Sequence, residues 1–183
     1  MKVLFINACF RENSRTLTLA KAYLDKYCKN DDIKEVNIEK LNVQPLDSER
    51  LNERDNDIST KNLSEVKYAP AYEFAAADKI VISAPYWDFS LPSKLRVYIE
   101  NIVVNGITFG YPHGVPTGFC MAEELVYITT AGGYLPQNSS LEHYLKELCA
   151  MFGIDNLKFI KAEGLDINSN DPDEIMKEAI SNL

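Results

Sequence analysis

The segment that decides the fold is Lys79-Ile80-Val81-Ile82-Ser83-Ala84, followed directly by Pro85-Tyr86-Trp87-Asp88-Phe89-Ser90-Leu91-Pro92. Its first part is an apolar run of strand length without polar alternation, which is typical of a strand covered on both faces. Two prolines bound the aromatic residues that follow, so the strand ends before them and a loop begins. Pro92 suits the first turn of a helix. The segment therefore predicts a buried strand, a loop and a helix.

Strands and helices alternate along the rest of the chain. Strands are predicted at 3–8, 33–41, 79–84, 125–130 and 157–162, and helices at 17–30, 72–77, 92–103, 141–152 and 172–183. The polar stretch 47–67 is either a helix or a partly ordered connection. Buried strands that alternate with helices predict a parallel sheet with helices on both faces. We expect an α/β fold, with a single domain over 1–183 and a doubly wound, five-stranded, flavodoxin-like sheet in the order 2-1-3-4-5.

Composition excludes several classes of protein. The chain has 183 residues, 46% of them hydrophobic, and 19 Lys and Arg against 27 Asp and Glu give a net charge of −8. This acidic balance leaves no basic excess for phosphates, so nucleic acid is not expected as a partner. No stretch approaches the roughly 20 apolar residues that span a bilayer, and the apolar start is too short for a secretory signal. We expect a cytoplasmic protein without membrane contact.

Metal-binding residue types are scattered along the sequence. The four cysteines (Cys9, Cys28, Cys120 and Cys149) lack CxxC spacing. Only His113 and His143 could join them, so we expect no metal site and reduced, buried thiols. His143 falls in an amphipathic helix and is expected on its solvated face.

Sheets of this kind bind ligands beyond the carboxyl ends of their strands, and three loops there have unusual compositions. The loop 9–16 carries Arg11, Ser14, Arg15 and Thr16 where a helix begins. Free amides, the helix dipole and these side chains would attract a phosphate. The alternative is that Ser14 caps the helix and the arginines are solvated. Neither G-x-G-x-x-G nor a P-loop motif is present.

The other two loops suit a flat ring. The loop 85–92 concentrates aromatic residues beside exposed amides, which favours stacking on a heteroaromatic ring; a hydrophobic plug or a subunit interface is the alternative. The loop 130–138 contains Gly132 and Gly133, which allow a close backbone approach to a ligand, as they would in a plain turn. Three such loops at one sheet edge predict a ligand site.

Several motifs resemble a known family, the FMN-dependent NADH-azoreductases and related NAD(P)H:quinone oxidoreductases of flavodoxin-like fold. Residues 84–95 are similar to the family's A-P-M-Y-N-F-x-[IL]-P-x-x-L. Gly106-Ile107-Thr108-Phe109-Gly110-Tyr111 is similar to G-x-T-F-x-Y, Thr130-Ala131-Gly132-Gly133 to S-R-G-G, and Ala162-Glu163-Gly164 to A-E-G. The resemblance covers residues 2–167.

The resemblance implies an oxidoreductase that passes two electrons from NADH or NADPH, through FMN, to quinones, azo compounds or nitroaromatics by a ping-pong mechanism. Flavin N5 would carry the chemistry, so no catalytic side chain is expected. FMN is expected rather than FAD because no extra loop for an adenine is evident. A flavodoxin-type carrier of single electrons and a flavin-free regulatory member of the fold are the alternatives.

The resemblance also implies roles for individual residues. Ser14, Arg15 and Thr16 would hold the FMN phosphate, with Arg11 as a weaker addition; Pro85, Tyr86, Trp87, Asp88 and Phe89 would line the isoalloxazine; and the N–H groups of Thr130, Ala131, Gly132 and Gly133 would flank its other edge. The family's homodimers imply a second subunit that completes the acceptor pocket. Phe109, Tyr111 and the helix from Ser93 are the interface candidates, and His113 is a candidate acceptor contact.

Four departures from the family pattern bear on cofactor and substrate preference. Ala8-Cys9 replaces an early serine, Asp88 replaces Asn, Ala131 replaces Arg, and Gly110 replaces an Arg that follows the Phe. These changes remove a phosphate hydroxyl, an amide donor and two cations.

Overall fold

A parallel β-sheet forms the centre of the computed structural model, which describes residues 1–64, 66–137 and 139–183. Within these residues the strands are β1 (Lys2–Asn7), β2 (Asp32–Asn37), β3 (Lys79–Ser83), β4 (Phe109–Gly110), β5 (Thr117–Gly118), β6 (Glu124–Thr130) and β7 (Asn156–Ala162). β4 and β5 form a separate antiparallel ribbon. The other five strands are parallel and pair in the order β2-β1-β3-β6-β7. With the ribbon set aside, this order confirms the predicted one.

Six α-helices lie in the described part of the chain, and their ends follow local rules. They are α1 (Arg15–Tyr27), α2 (Ser48–Thr60), α3 (Ala69–Ala75), α4 (Ser93–Ile102), α5 (Ser140–Phe152) and α6 (Pro172–Ser181). Side-chain oxygens of Ser14, Asp47, Ser139 and Asp171 accept backbone N–H groups at the starts of four of them. Gly153 ends α5 with a φ of 77°, a left-handed conformation that glycine adopts without strain.

Side chains alternate between two hydrophobic cores, one on each face of the sheet. On one face Val3 and Phe5 of β1 pack with Tyr23 of α1, and α6 covers the same side. On the other face Leu4 and Ile6 pack with α3, α4 and α5. Because both faces are buried, the central strands are continuous apolar runs.

The second strand is shorter than the 33–41 predicted. The N–H of Ile38 donates to the carbonyl of Asn7 at 2.8 Å. Oδ1 of Asn37 then accepts the N–H groups of Glu39 and Lys40 at 3.0 and 3.3 Å. This side-chain-to-backbone turn bends the chain away from the sheet and ends β2.

The polar stretch 47–67 contains α2 and, at Val66–Tyr68, a turn of 3-10 helix; Glu65 lies outside the described residues. The buried carboxylate of Asp57 accepts the hydroxyl of Tyr68 at 2.8 Å and lies 2.6 Å from Nζ of Lys67. A polar network, rather than an apolar stripe, fixes this segment. Hydrophobic periodicity therefore gave no boundary here.

The β4–β5 ribbon was not predicted. The chain that leaves it is held by two hydrogen bonds: the N–H of Cys120 donates to the carbonyl of Phe152 at 3.2 Å, and the N–H of Met121 to that of Ala75 at 2.8 Å. These carbonyls end α5 and α3, which lead into the amino-terminal ends of β7 and β3. The ribbon is therefore attached at the amino-terminal end of the sheet.

Candidate functional site

A cleft of about 470 Å³ opens at the carboxyl ends of β1, β3 and β6. It is lined by Phe10, Arg11, Asn13, Ser14, Arg15, Thr16, Pro85, Tyr86, Trp87, Thr130, Ala131, Gly132, Leu165 and Asp166. The three predicted loops therefore meet in one place, as the sheet topology requires. Of the predicted cofactor residues, Asp88, Phe89 and Gly133 are not part of this lining. The end of the third loop, at Asn138, lies outside the described residues.

One end of the cleft suits an anion. Oγ of Ser14, the N-cap of α1, accepts the N–H of Leu17 at 3.2 Å, so the capping interpretation is confirmed. The hydroxyl of Ser14 also lies beside the thiol of Cys9, and its hydrogen could turn from there to donate to a ligand. First-turn amides have no intrahelical carbonyl partners, and the helix dipole is positive here. Arg11 adds an exposed guanidinium to the same wall.

Thr16 joins the first loop to the third. Its side chain is buried, and its hydroxyl shares a hydrogen bond of 2.6 Å with the hydroxyl of Thr130. The carbonyl of Thr130 accepts the N–H of Tyr86 at 3.1 Å. This hydrogen bond connects the second loop to the third. The hydroxyl of Thr16 is thus engaged within the protein, and its backbone N–H is the group that an anion would meet.

The cleft contains a carboxylate that sequence reasoning missed. Asp166 follows β7, and its Oδ1 lies 3.0 Å from Nη1 of Arg15. Arg15 is therefore paired, and not simply solvated as the alternative interpretation held. The carboxyl end of β7 reaches the same edge of the sheet as those of β1, β3 and β6. The sequence could therefore have indicated Asp166, because it lies in the loop after β7.

The aromatic loop closes in a tight turn. The N–H of Trp87 donates to the carbonyl of Ser90 at 3.0 Å, and the N–H of Ser90 donates back to Trp87 at 2.8 Å. Between them, Asp88 and Phe89 have φ values of 49° and 61°. Two successive positive φ values are typical of a type I′ turn. Phe89 lies at the tip and is 71% exposed.

Trp87 separates the cleft from a second hollow. Its ring stacks on that of Phe10, with centroids 5.9 Å apart, and both rings line both spaces. The hollow, of about 520 Å³, lies at the start of α4 and is also lined by Asp88, Lys94 and Arg96. Asp88 therefore faces the hollow, whereas the sequence predicted a place beside the ring.

Backbone hydrogen bonds hold the third loop. The N–H of Ala131 donates to Ala162 at 3.0 Å, and the N–H of Asp166 donates to Gly132 at 2.9 Å. The amide of Ala131 is thus bonded within the protein, and the place of this residue beside a flavin stays a prediction. A Cβ on Gly132 would overlap Oδ2 of Asp166, whereas the space around Gly133 is open.

The residues predicted for the acceptor pocket or dimer interface lie away from the cleft. Phe109 belongs to β4, Tyr111 follows it, and His113 lies in the next 3-10 turn. All three belong to the ribbon segment, which is attached at the opposite end of the sheet. The rings of Phe109 and Tyr111 meet edge to face at 5.8 Å, and Tyr111 is 57% exposed. None of the three lines this chain's own cleft, and their interface role stays a prediction. His143 is exposed.

Cys9 lies beneath the cleft. Its thiol is buried and shares a hydrogen bond of 3.2 Å with the hydroxyl of Ser83. Burial raises the pKa of Cys9, so the thiol is neutral at pH 7. All four cysteines are free thiols. In the described ranges, no group of three or more His, Cys, Asp and Glu side chains could hold a metal ion, and no helix is long and apolar enough to cross a membrane.

The chemistry of the cleft matches a flat aromatic molecule with an anionic tail. Guanidinium groups and helix amides lie at one end and aromatic rings at the other. The volume falls in the range of about 300–1,000 Å³ that is usual for ligand pockets. FMN has this shape and charge, so the residues present fit the cofactor that the resemblance implies. Fold and cleft together define a flavin-binding α/β protein of flavodoxin type.

Comparisons with known proteins agree with that class. A family model described as flavodoxin-like fold matches residues 1–183. The chain is 36% identical over 187 residues to an FMN-dependent NADH:quinone oxidoreductase of Clostridium beijerinckii, and the match covers 98% of this chain and 94% of that protein. The chain belongs to the flavodoxin-like family that includes these FMN-dependent NADH:quinone oxidoreductases.

Two solved structures share the fold. An azoreductase from Bacillus anthracis str. Sterne has a TM-score of 0.86 at 23% identity, covering 100% of this chain and 96% of that chain. An FMN-dependent NADH-azoreductase from Bacillus anthracis str. Ames Ancestor, solved in complex with FMN, has a TM-score of 0.83 at 23% identity, covering 100% and 95%. The predicted flavodoxin-like fold is confirmed.

Proposed function

We propose that this chain is an FMN-dependent NADH:quinone oxidoreductase that also reduces azo compounds. The observation that carries the proposal is the cleft, which combines a cationic helix start with an aromatic wall at the carboxyl edge of the sheet. The Clostridium beijerinckii relative bears the same name, and the Bacillus anthracis neighbour is an azoreductase. The cofactor is FMN and the donor is NADH; NADPH as a second donor and nitroaromatics as acceptors extend the proposal.

The two ends of the cleft divide the binding between them. Arg11 and Arg15 supply guanidinium donors to the FMN phosphate, Ser14 supplies a hydroxyl, and first-turn amides complete the anion site. Tyr86 and Trp87 contact the ring system and keep water from part of its surface. When bound, FMN supplies hydride exchange at its N5, and the protein supplies orientation.

Donor and acceptor use one site in turn. A cleft of about 470 Å³ has room for FMN alone, so we expect both substrates to approach the part of the flavin that the cleft leaves uncovered. This supports a ping-pong mechanism, in which oxidised nicotinamide leaves before the acceptor binds. Initial rates at several fixed acceptor concentrations would give parallel double-reciprocal lines, and intersecting lines would contradict the mechanism.

We also propose a homodimer in which the ribbon of one chain completes the partner's acceptor pocket. Large apolar side chains are exposed on the ribbon and on the chain that leaves it: Tyr111, Val115, Phe119 and Met121. Contiguous exposed apolar surface marks interaction sites. Phe109, Tyr111 and His113 would then reach the acceptor from the partner. Sedimentation over a range of concentrations tests this, and a monomer throughout would contradict it.

Two further proposals, on the number of domains and on the location of the protein, also have structural support. Both cores share one sheet, which supports a single domain over 1–183. Four free thiols are in keeping with a reducing, cytoplasmic location.

The first test of the proposed function is an absorbance spectrum of the protein after incubation with FMN and desalting, before and after NADH is added without oxygen. Retained flavin that bleaches directly is the expected result. Retained flavin that NADH does not reduce would favour an electron carrier. Loss of flavin on desalting would contradict the proposal and favour a flavin-free member of the fold.

A further inference from the structure

The anion end of the cleft contains an anion of its own, the carboxylate of Asp166. It pairs with Arg15 at 3.0 Å, and the two side chains are 73% and 45% exposed. We infer that Arg15 and Asp166 form a latch that the FMN phosphate must open, so that Asp166 sets the affinity of the protein for the phosphorylated flavin. This inference rests on the proposed function, because it needs FMN in this cleft.

Asp166 is the fixed half of the latch. Its N–H donates to the carbonyl of Gly132 at 2.9 Å, and its side chain lies against the bare Cα of that glycine. The preceding residue, Leu165, is buried in the core beneath. Arg15 is the movable half, since its guanidinium lies at the end of a flexible side chain on the first residue of α1.

The strengths of the two interactions determine which partner Arg15 takes. An exposed ion pair is weak because water screens both charges. A guanidinium binds a phosphate dianion more strongly, through two parallel hydrogen bonds. Phosphate can therefore displace the carboxylate, but Asp166 remains beside it and repels it. The latch opens for FMN and weakens its binding.

The test compares dissociation constants for FMN and for riboflavin, which has the same ring without the phosphate. Asp166→Asn is expected to tighten FMN binding roughly three- to tenfold and to leave riboflavin binding unchanged. Flavin fluorescence during titration with protein gives both constants. Asp155→Asn is the matched control: it makes the same change of charge at an exposed residue before β7, at the other end of the sheet, and should leave both constants unchanged.

A double-mutant cycle isolates the pair. Arg15→Ala should weaken FMN binding. In that background Asp166→Asn should tighten FMN binding by a smaller factor than in the wild type, because no guanidinium is left to release. Equal FMN constants for wild type and Asp166→Asn, or an equal change with riboflavin, would overturn the latch while leaving FMN in the cleft. If neither protein binds FMN, the latch and the proposed function both fail. FMN binding by Asp166→Asn alone would support both.

Discussion

At the scale of single residues, Ser14 caps α1 and is also proposed to bind the FMN phosphate, and a pair of variants can separate these two roles. Ser14→Ala removes the cap of α1 and is expected to lower the free energy of unfolding by about 1 kcal/mol. Ser14→Asp keeps an N-cap oxygen, so stability should stay near that of wild type, but it places a negative charge where the phosphate binds. FMN affinity should then fall about tenfold or more. Urea unfolding without flavin and FMN titration measure the two effects, and wild-type FMN affinity in Ser14→Asp would place the phosphate elsewhere.

Phe89 is held in a backbone conformation that suits glycine better. Its φ of 61° is unfavourable for a bulky side chain. Because the ring is mostly exposed, its burial contributes little free energy to offset this strain. Phe89→Gly is therefore expected to raise the free energy of unfolding by up to about 1 kcal/mol. Phe89→Ala retains the strained Cβ and loses only the ring, so it should gain nothing in urea unfolding. A Phe89→Gly protein less stable than Phe89→Ala would show that the turn is not strained.

At the scale of elements, the network that joins α2 to the 3-10 turn gives stability that depends on pH. Hydrogen bonds from Lys67 and then from Tyr68 lower the pKa of Asp57 below its ordinary value of 3.8. An acid with a lowered folded-state pKa stabilises the fold fully above its unfolded pKa, and this contribution is lost as pH falls through the folded-state value.

We therefore expect Asp57→Asn to lower the urea midpoint at pH 7 and to flatten its decline below about pH 4. Glu53→Gln is the control, because it removes only the exposed second partner of Lys67 and should change the midpoint little. An Asp57→Asn protein whose midpoint declines in acid as steeply as that of wild type would rule out this origin of the acid sensitivity.

The ribbon depends on a glycine at its contact with α5. A Cβ on Gly118 would overlap the backbone of Phe152 and Gly153, which cannot move aside as a side chain could. Gly118→Ala is expected to lower the free energy of unfolding by about 2–3 kcal/mol. Gly133→Ala, where nothing lies near the added methyl group, should have little effect on thermal unfolding. Equal melting temperatures for the two variants would show that the ribbon is not packed against α5.

At the scale of the whole molecule, the sheet order and the three cleft loops could be predicted because buried parallel strands leave continuous apolar runs, and their carboxyl ends share one edge. The contacts between the loops could not be predicted from the sequence. Arg15 and Asp166 are 151 positions apart, and Thr16 and Thr130 are 114 apart, so no local pattern connects them. The ribbon also escaped prediction, because strands of two residues carry no periodicity.

The ribbon and the cleft lie at opposite ends of the sheet. For the proposed dimer this has a genetic consequence. At FMN concentrations too low to fill the weakened site, Ser14→Asp would leave the cleft of its own chain empty and inactive, and Tyr111→Asp would damage the ribbon that serves the partner. A mixed dimer holds one centre with neither defect and one with both. Two inactive proteins should therefore complement each other when their subunits exchange, recovering about a quarter of the wild-type activity. If each chain held a self-contained centre, Tyr111→Asp would keep its activity on its own, because Tyr111 does not line the cleft of its own chain, and mixing would add nothing.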